Sequence, residues 1–348
     1  MSDTFCVLPW YSKEIRKNYS VACCLLPAVH NIDDIKNKLL SGQQHPDCKK
    51  CWDIESTGAT SRRQQENIFL DYIIGRDIDR IRQDCVDNTS TTLLYQLQTS
   101  NLCNQACVTC NSSFSTKWQE LDRQMNIAQE SQPPIDDFSK QIDYANAKRI
   151  EILGGEPLFD SKTFMILNKL RTHNNTDCVV SFVTNGSIEL KRSTVDQLKS
   201  FENLNICISI DGIGSVFEYM RWPGRWETLL KNIEQYRTIA NNISVSYTIS
   251  AVNALYYNQT VDWFKQNGLP YNHNIVTNPL WASLANMPVR LKQILSQKNN
   301  FVSNFCKIDG NEISMSVLAE QISQQDQAKR ISIRDYMPEV ADIIFDTL

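Results

Sequence analysis

Between residues 93 and 277 the sequence keeps changing its hydrophobic period, and this limits the folds open to it. Short runs, several of them rich in β-branched residues and ending on Gly, Asn or Asp, read as strands: Leu93–Thr99, Arg149–Leu153, Cys178–Val183, Leu204–Ile210, Ile243–Ser250 and Asn272–Thr277. Amphipathic stretches of helical length lie between them. Phe164, Leu167 and Leu170 mark one face within Ser161–Arg171, and Leu229, Ile233 and Tyr236 mark another within Trp226–Ala240. Strand alternating with helix implies parallel strands joined by crossover helices. The expected class is therefore α/β, with six such units forming an open or partial (β/α)6 barrel. In that architecture functional residues gather at the C-terminal ends of the strands.

The flanks read differently. Residues 1–92 form a small cysteine-rich module followed by a helical stretch, Ser61–Val86. Residues 93–287 are the barrel, and residues 288–348 a helical C-terminal extension. The chain has only 11 glycines in 348 residues, and Gly154, Gly155, Gly186, Gly212 and Gly214 all fall just after candidate strands. Glycine is used here where backbone bends tightly or approaches a ligand. The net charge of −4 argues against a large nucleic acid as partner, since such binders carry a basic stripe. There is no long apolar run and no basic-then-apolar N-terminus, so neither a membrane span nor a secretion signal is expected, and a cytoplasmic location is.

In that setting the 12 cysteines should be reduced, and their clustering points to metal or cluster ligation. The first barrel strand runs into Cys103, Cys107 and Cys110, spaced C-x3-C-x2-C within one loop. A four-iron cluster usually takes four thiolates, so three local ones leave one iron free to bind something else. The spacing alone also permits a zinc site completed by a distant fourth ligand.

Three further motifs end the next strands: Gly154-Gly155-Glu156-Pro157, Val183-Thr184-Asn185-Gly186 and Ser209-Ile210-Asp211-Gly212. In this order, over about residues 93 to 280, the set resembles the radical S-adenosylmethionine (SAM) superfamily, whose fold is a partial TIM-like barrel. The resemblance implies that Cys103, Cys107 and Cys110 hold a [4Fe–4S] cluster. It implies that SAM binds the fourth iron through its methionine amine and carboxylate, and that the Gly154–Pro157 turn receives the ammonium, with Glu156 adding negative charge. A branched side chain at Gly155 is then expected to abolish SAM binding while leaving the cluster spectrum intact. Asn185, Ser209, Asp211, Arg221 and Asn253 are further candidate contacts. Arg221 reads equally as a surface salt bridge at the start of a helix. The implied activity is reductive cleavage of SAM to a 5′-deoxyadenosyl radical that takes hydrogen from a substrate. The implied electron donor is a protein such as flavodoxin or ferredoxin.

Cys6, the Cys23-Cys24 pair, and Cys48-x2-Cys51 form a second set. It resembles the auxiliary iron–sulfur modules called SPASM or, when shortened, twitch, although here it precedes the barrel rather than following it. Zinc is the alternative metal. If Ser20–Leu26 is a strand, Cys23 and Cys24 point to opposite faces and only one can be a ligand; where the family motif falls favours Cys23. Cys85, Cys178 and Cys207 read as buried packing residues. Cys306, in the C-terminal extension, reads as core packing or as a hydrogen donor to a substrate radical. The substrate is expected to be a peptide or a small metabolite, nucleotide or sugar. A reading of another class is a non-catalytic iron–sulfur or zinc sensor or scaffold.

Overall fold

The computed structural model describes residues 4–16, 19–56, 58, 60–127, 138–298, 300–306 and 310–346. Its strands are β1 (Ser12–Ile15), β2 (Ser20–Val21), β3 (Leu94–Gln98), β4 (Arg149–Leu153), β5 (Val179–Thr184), β6 (Leu204–Ser209), β7 (Asn242–Ile249) and β8 (Tyr271–Ile275). They form one sheet in the order β2-β1-β3-β4-β5-β6-β7-β8. Only the β1–β2 pairing is antiparallel; β1–β3 and each pairing onward to β8 are parallel. The six expected strands are β3 to β8; Arg149–Leu153 is found as expected and the other five differ by a residue or two at one or both ends. Because β2 and β8 are opposite edges of the order, the barrel is open.

Period-two alternation gives this sheet two unlike faces. Tyr95, Leu97, Ile150, Ile152, Val180, Phe182, Ile206, Ile208, Val245, Tyr247 and Ile249 belong to one buried core. Helices cover them, including Ser161–Thr172, through Ile166, Leu167 and Leu170, and Trp226–Arg237, through Leu229, Ile233 and Tyr236. Each such aliphatic side chain contributes roughly 1.5–3 kcal/mol by leaving water. Many of the intervening positions are polar, with Leu94, Leu153, Val179 and Val183 as apolar exceptions. Glu14, Gln96, Glu151, Ser181, Asn205 and Asn242 stand in register across six strands. Ser209, Ser246 and Asn272 form a shorter row nearer the strand ends.

The N-terminal region departs from expectation in three places. β1 joins the sheet, parallel to β3 from Ser12↔Leu94 to Ile15↔Leu97. Four residues are too few to show a period, so nothing local announced this strand. β2 stops at Val21, and Cys23 and Cys24 lie in a turn closed by Leu26 N–H bonding to the Cys23 carbonyl (3.0 Å). They therefore do not occupy opposite faces of a Ser20–Leu26 strand. The stretch Ser61–Val86 is two helices, Arg62–Ile74 and Ile78–Val86. Ser61 and Gln64 form a capping box at the start of the first, Gly75 ends it at φ +62°, and Asp77 caps the second.

Candidate active site

The loop after β3 has no regular structure of its own, so its shape comes from hydrogen bonds to neighbours. Ala106 N–H donates to the Trp222 carbonyl (2.7 Å) and Val108 N–H to that of Met220 (2.9 Å). Cys103 N–H donates to Thr116 Oγ1 (3.1 Å), and that hydroxyl donates to the Cys103 carbonyl (3.0 Å). Ser115 caps the helix Thr116–Gln124 while its hydroxyl donates to the Gln105 carbonyl (2.6 Å). Trp118 Nε1 donates to the Cys107 carbonyl (2.9 Å).

So held, Cys103, Cys107 and Cys110 line one cavity of about 190 Å3 at the C-terminal ends of the strands, together with Gly154, Gly155, Asn185, Ser209 and Arg221. Burial pushes the Cys103 and Cys110 thiols up to about 12, with thiolate charge on Cys107 adding to each, and burial likewise raises Cys107. Three buried thiolates need positive charge beside them. Arg221 supplies some: its Nη1 is 3.8 Å from Cys107 Sγ. It is not a surface salt bridge, because its Nε lies 2.6 Å from Asp211 Oδ2 and the pair is almost wholly buried.

The Gly-Gly turn serves the loop directly. Gly155 N–H donates to the Ser100 carbonyl (2.9 Å) and Glu156 N–H to that of Leu102 (2.8 Å). A Cβ on Gly155 would strike the backbone of Asn101 and Leu102. Gly154 has φ +141°, and a Cβ there would meet the Ser100 carbonyl oxygen. Both glycines are thus explained by close approach of two backbones, before any ligand is considered.

Not every expected residue reaches the cavity wall. Glu156 is 1% exposed and accepts from Leu158 N–H (3.0 Å), Thr184 Oγ1 (2.7 Å) and Asn185 N–H (2.6 Å), which ties the end of β4 to the end of β5. Burial pushes its carboxyl up to about 7 against the pull of those donors. Pro157 opens a short 3-10 turn and is buried. Asp211 Oδ1 accepts from Thr248 N–H (2.9 Å). Asn253 donates to the carbonyls of Asp211 (2.7 Å) and Thr248 (2.8 Å) and accepts from both Ser250 N–H and Ser250 Oγ. Asp211 and Asn253 thus stand behind Arg221 and fix the ends of β6 and β7. Asn185 Nδ2 lies 3.9 Å from Cys103 Sγ and donates to Asn104 Oδ1 (2.9 Å).

Gln105, Thr109, Phe114, Leu153 and Val183 also line the cavity. Gln105 and Thr109 fall between the cysteines of the motif and Val183 opens the motif after β5, positions that mark them; Phe114 and Leu153 carry no such signal. Gln105 Nε2 is buried with no hydrogen-bond partner, while its Oε1 sits 3.7 Å from Cys107 Sγ. With Cys107 ionised, the amide turned end for end would offer that N–H to the sulfur. This orphaned donor, the cavity and Arg221 together fit a cluster bound by three thiolates. Among the described residues no group of three or more His, Cys, Asp or Glu is arranged to hold a single metal ion. The thiolates of a four-iron cluster sit on separate irons and need not converge on one point.

In the N-terminal region Cys6, Cys23, Cys48 and Cys51 line a second, smaller cavity of about 30 Å3, walled by Leu8, Leu26, Ile35, Leu39 and Trp52. Burial pushes Cys6 up, and Cys48 up to about 11. Cys24 is absent from this wall; its Sγ accepts from Arg62 Nη1 (2.6 Å). Cys85 and Cys178 are buried, and Cys207 is half-buried on the polar face of the sheet. Cys306 ends the helix Asn300–Cys306, but its side chain lies outside the described residues.

No family model and no curated protein matches the sequence. Among solved structures, anSMEcpe with bound AdoMet is 15% identical at a TM-score of 0.41, covering 69% of this chain and 62% of that one. Streptococcus suis SuiB bound to S-adenosylmethionine is 14% identical at 0.41, covering 87% and 64%. TYW1 with a lysine-pyruvate adduct is 12% identical at 0.33, covering 60% and 72%. The matched part spans less than two thirds of the length of anSMEcpe and of SuiB. No described helix is long and apolar enough to cross a membrane.

Proposed function

We propose that this chain is a radical SAM enzyme. The observation that carries the reading is the single cavity lined by Cys103, Cys107, Cys110 and Arg221 at the C-terminal end of a parallel sheet. Cys103, Cys107 and Cys110 would hold a [4Fe–4S] cluster, leaving one iron for the SAM amine and carboxylate. When bound, the cluster supplies the electron that splits SAM into methionine and a 5′-deoxyadenosyl radical, which takes hydrogen from an unactivated carbon. The chain's own residues position and shield. Arg221, held by Asp211, places positive charge against Cys107. Asn185 orients the loop at Cys103, and Ser209 offers a hydroxyl at the cavity wall. The electron donor would be a protein such as flavodoxin or ferredoxin.

The substrate we propose is a peptide. The polar face of the sheet presents amides and hydroxyls, among them the half-buried Ser181, Asn205 and Ser246 and the exposed Asn272, and a peptide backbone offers matching donors and acceptors. A small metabolite, nucleotide or sugar is the alternative. The module in residues 1–92 would hold an auxiliary cluster through Cys6, Cys23, Cys48 and Cys51. A structural zinc is the second reading, which fits the small volume of that cavity and needs the four thiols to draw together onto one ion.

Anaerobic reconstitution with iron and sulfide, followed by dithionite and SAM, should yield 5′-deoxyadenosine and about eight irons per chain, two cubanes. Four irons plus one zinc would establish the zinc module. Bound iron without 5′-deoxyadenosine would favour a sensor or scaffold.

A further inference from the structure

The helix Met315–Lys329 packs against the back of the cysteine loop and carries a buried cation to it. Gln325 Nε2 donates to the Val108 carbonyl (2.9 Å), and Gln325 Oε1 accepts from Lys329 Nζ (2.7 Å). Lys329 Nζ also lies 4.9 Å from the centre of the Trp118 ring, whose Nε1 holds the Cys107 carbonyl. The helix thus holds the Val108 carbonyl directly through Gln325 and reaches the Cys107 carbonyl only through Trp118 of the helix Thr116–Gln124, against whose ring Lys329 sits. Lys329 is only 4% exposed. Its partners are an amide and an aromatic face, with no carboxylate at ion-pair distance among the described residues. The nearest acid on its own helix, Asp326, accepts from Tyr219 Oη (2.8 Å) and Ile333 N–H (2.8 Å).

Burying an ammonium without a counter-charge is expensive. Burial pulls Lys329 down to about 7, while thiolate charge on Cys107, the Asp326 carboxylate and thiolate charge on Cys110 act in the opposite direction. A cation so placed makes electrostatic sense when negative charge stands beside it. Arg221 approaches Cys107 as well, so a cluster on these thiols would lie in the field of two buried cations. The reduced cluster carries one more negative charge than the oxidised one, so a fixed positive charge favours reduction.

We propose that Lys329 is a positioning residue whose ammonium, braced by Gln325 and Trp118, raises the reduction potential of the cluster on Cys103, Cys107 and Cys110. The inference rests on the cluster reading above.

The test needs neither SAM nor substrate. Reconstituted full-length protein is titrated with dithionite at controlled potential, and the one-electron reduction is followed by electron paramagnetic resonance. Variants with Cys103, Cys107 and Cys110 all changed to Ala identify which signal belongs to the loop. Lys329→Met should bind the same iron, yet show about a tenfold lower ratio of reduced to oxidised cluster at fixed potential, 59 mV for one electron. Lys329→Arg should recover most of the shift. Lys329→Gln, which keeps a donor towards Gln325, serves as the neutral variant should Met not fold. An unchanged potential in the neutral variant overturns the proposal. So does an equal shift in Lys329→Arg, since packing rather than charge would then be the cause. Wild-type protein that takes no iron at the loop would sink the cluster reading instead.

Discussion

The two cysteine sites differ in how their ligands are held. Cys103, Cys107 and Cys110 sit on an irregular loop pinned by hydrogen bonds to segments at residues 115–118, 155–156, 185, 220–222 and 325, around a cavity of about 190 Å3 whose wall mixes polar groups with Phe114, Leu153 and Val183. Cys6, Cys23, Cys48 and Cys51 come from chain near a short helix, a tight turn and the helix Lys49–Ser56, around an apolar cavity of about 30 Å3. The first has three thiols, a cation and room for a further ligand. The second has four thiols in a mostly apolar wall, with Arg63 and Asp47 also lining it. An open position with polar neighbours suits a reacting centre, whereas a closed set of four suits structure or electron transfer.

That contrast is broken most directly by changing Cys103, Cys107 and Cys110 together to Ala. 5′-Deoxyadenosine should fall to background while the N-terminal metal stays, as read by product chromatography and metal analysis. Substantial product from this variant would show that the loop is not the reacting centre.

The second effect in size belongs to the closed site. Cys48→Ala with Cys51→Ala should release the N-terminal metal and lower thermal stability, because a metal bound only by the folded state stabilises it. The loss is about 4 kcal/mol when free metal stands at a thousand times its dissociation constant. Calorimetry of metal-loaded and metal-free protein should then converge for this variant and differ for wild type. Equal stability of the loaded forms would show that the site contributes nothing to the fold.

The barrel was legible because its strands and helices carry long-enough periods, and because five of the 11 glycines fall just after strands. The grouping of the motif residues around one cavity was legible for the same reason: they fall at strand ends, where one local signal fixes position. What escaped depends on contacts between distant segments. β1 is four residues long and declares itself only by pairing with β3. The place of Asp211 and Asn253 at strand ends was legible, but the hydrogen bonds that join their two segments were not. Lys329, more than 200 residues beyond the cysteines, had no local mark at all.

Gly155 sharpens the comparison from the side of the open site. The sequence led to an expectation that a branched side chain here would block SAM and leave the cluster untouched. Its contact with Asn101 and Leu102, just ahead of Cys103, changes that expectation. Gly155→Val should displace the loop, reducing iron at that site as well as SAM affinity, and cost about 1–3 kcal/mol through overpacking. Iron content and absorbance of the reconstituted variant decide the matter, since a full cluster spectrum with lost SAM binding would restore the simpler role.

The smallest effect separates two neighbouring thiols. Cys23 and Cys24 share one turn, so substitution at either perturbs the same backbone. Cys23 lines the cavity with Cys6, Cys48 and Cys51, whereas Cys24 accepts from Arg62. Cys23→Ser should therefore weaken the N-terminal metal, because a hydroxyl replaces one of four soft thiolates. Cys24→Ser keeps an acceptor for Arg62 and should change stability by no more than about 0.5 kcal/mol, the usual range for substitutions that break no special feature. Competition with a chelator reads the difference: the metal of Cys23→Ser should be removed first, and that of Cys24→Ser should hold as in wild type. The reverse order would place Cys24 in the ligand set and require the turn to rotate when metal binds.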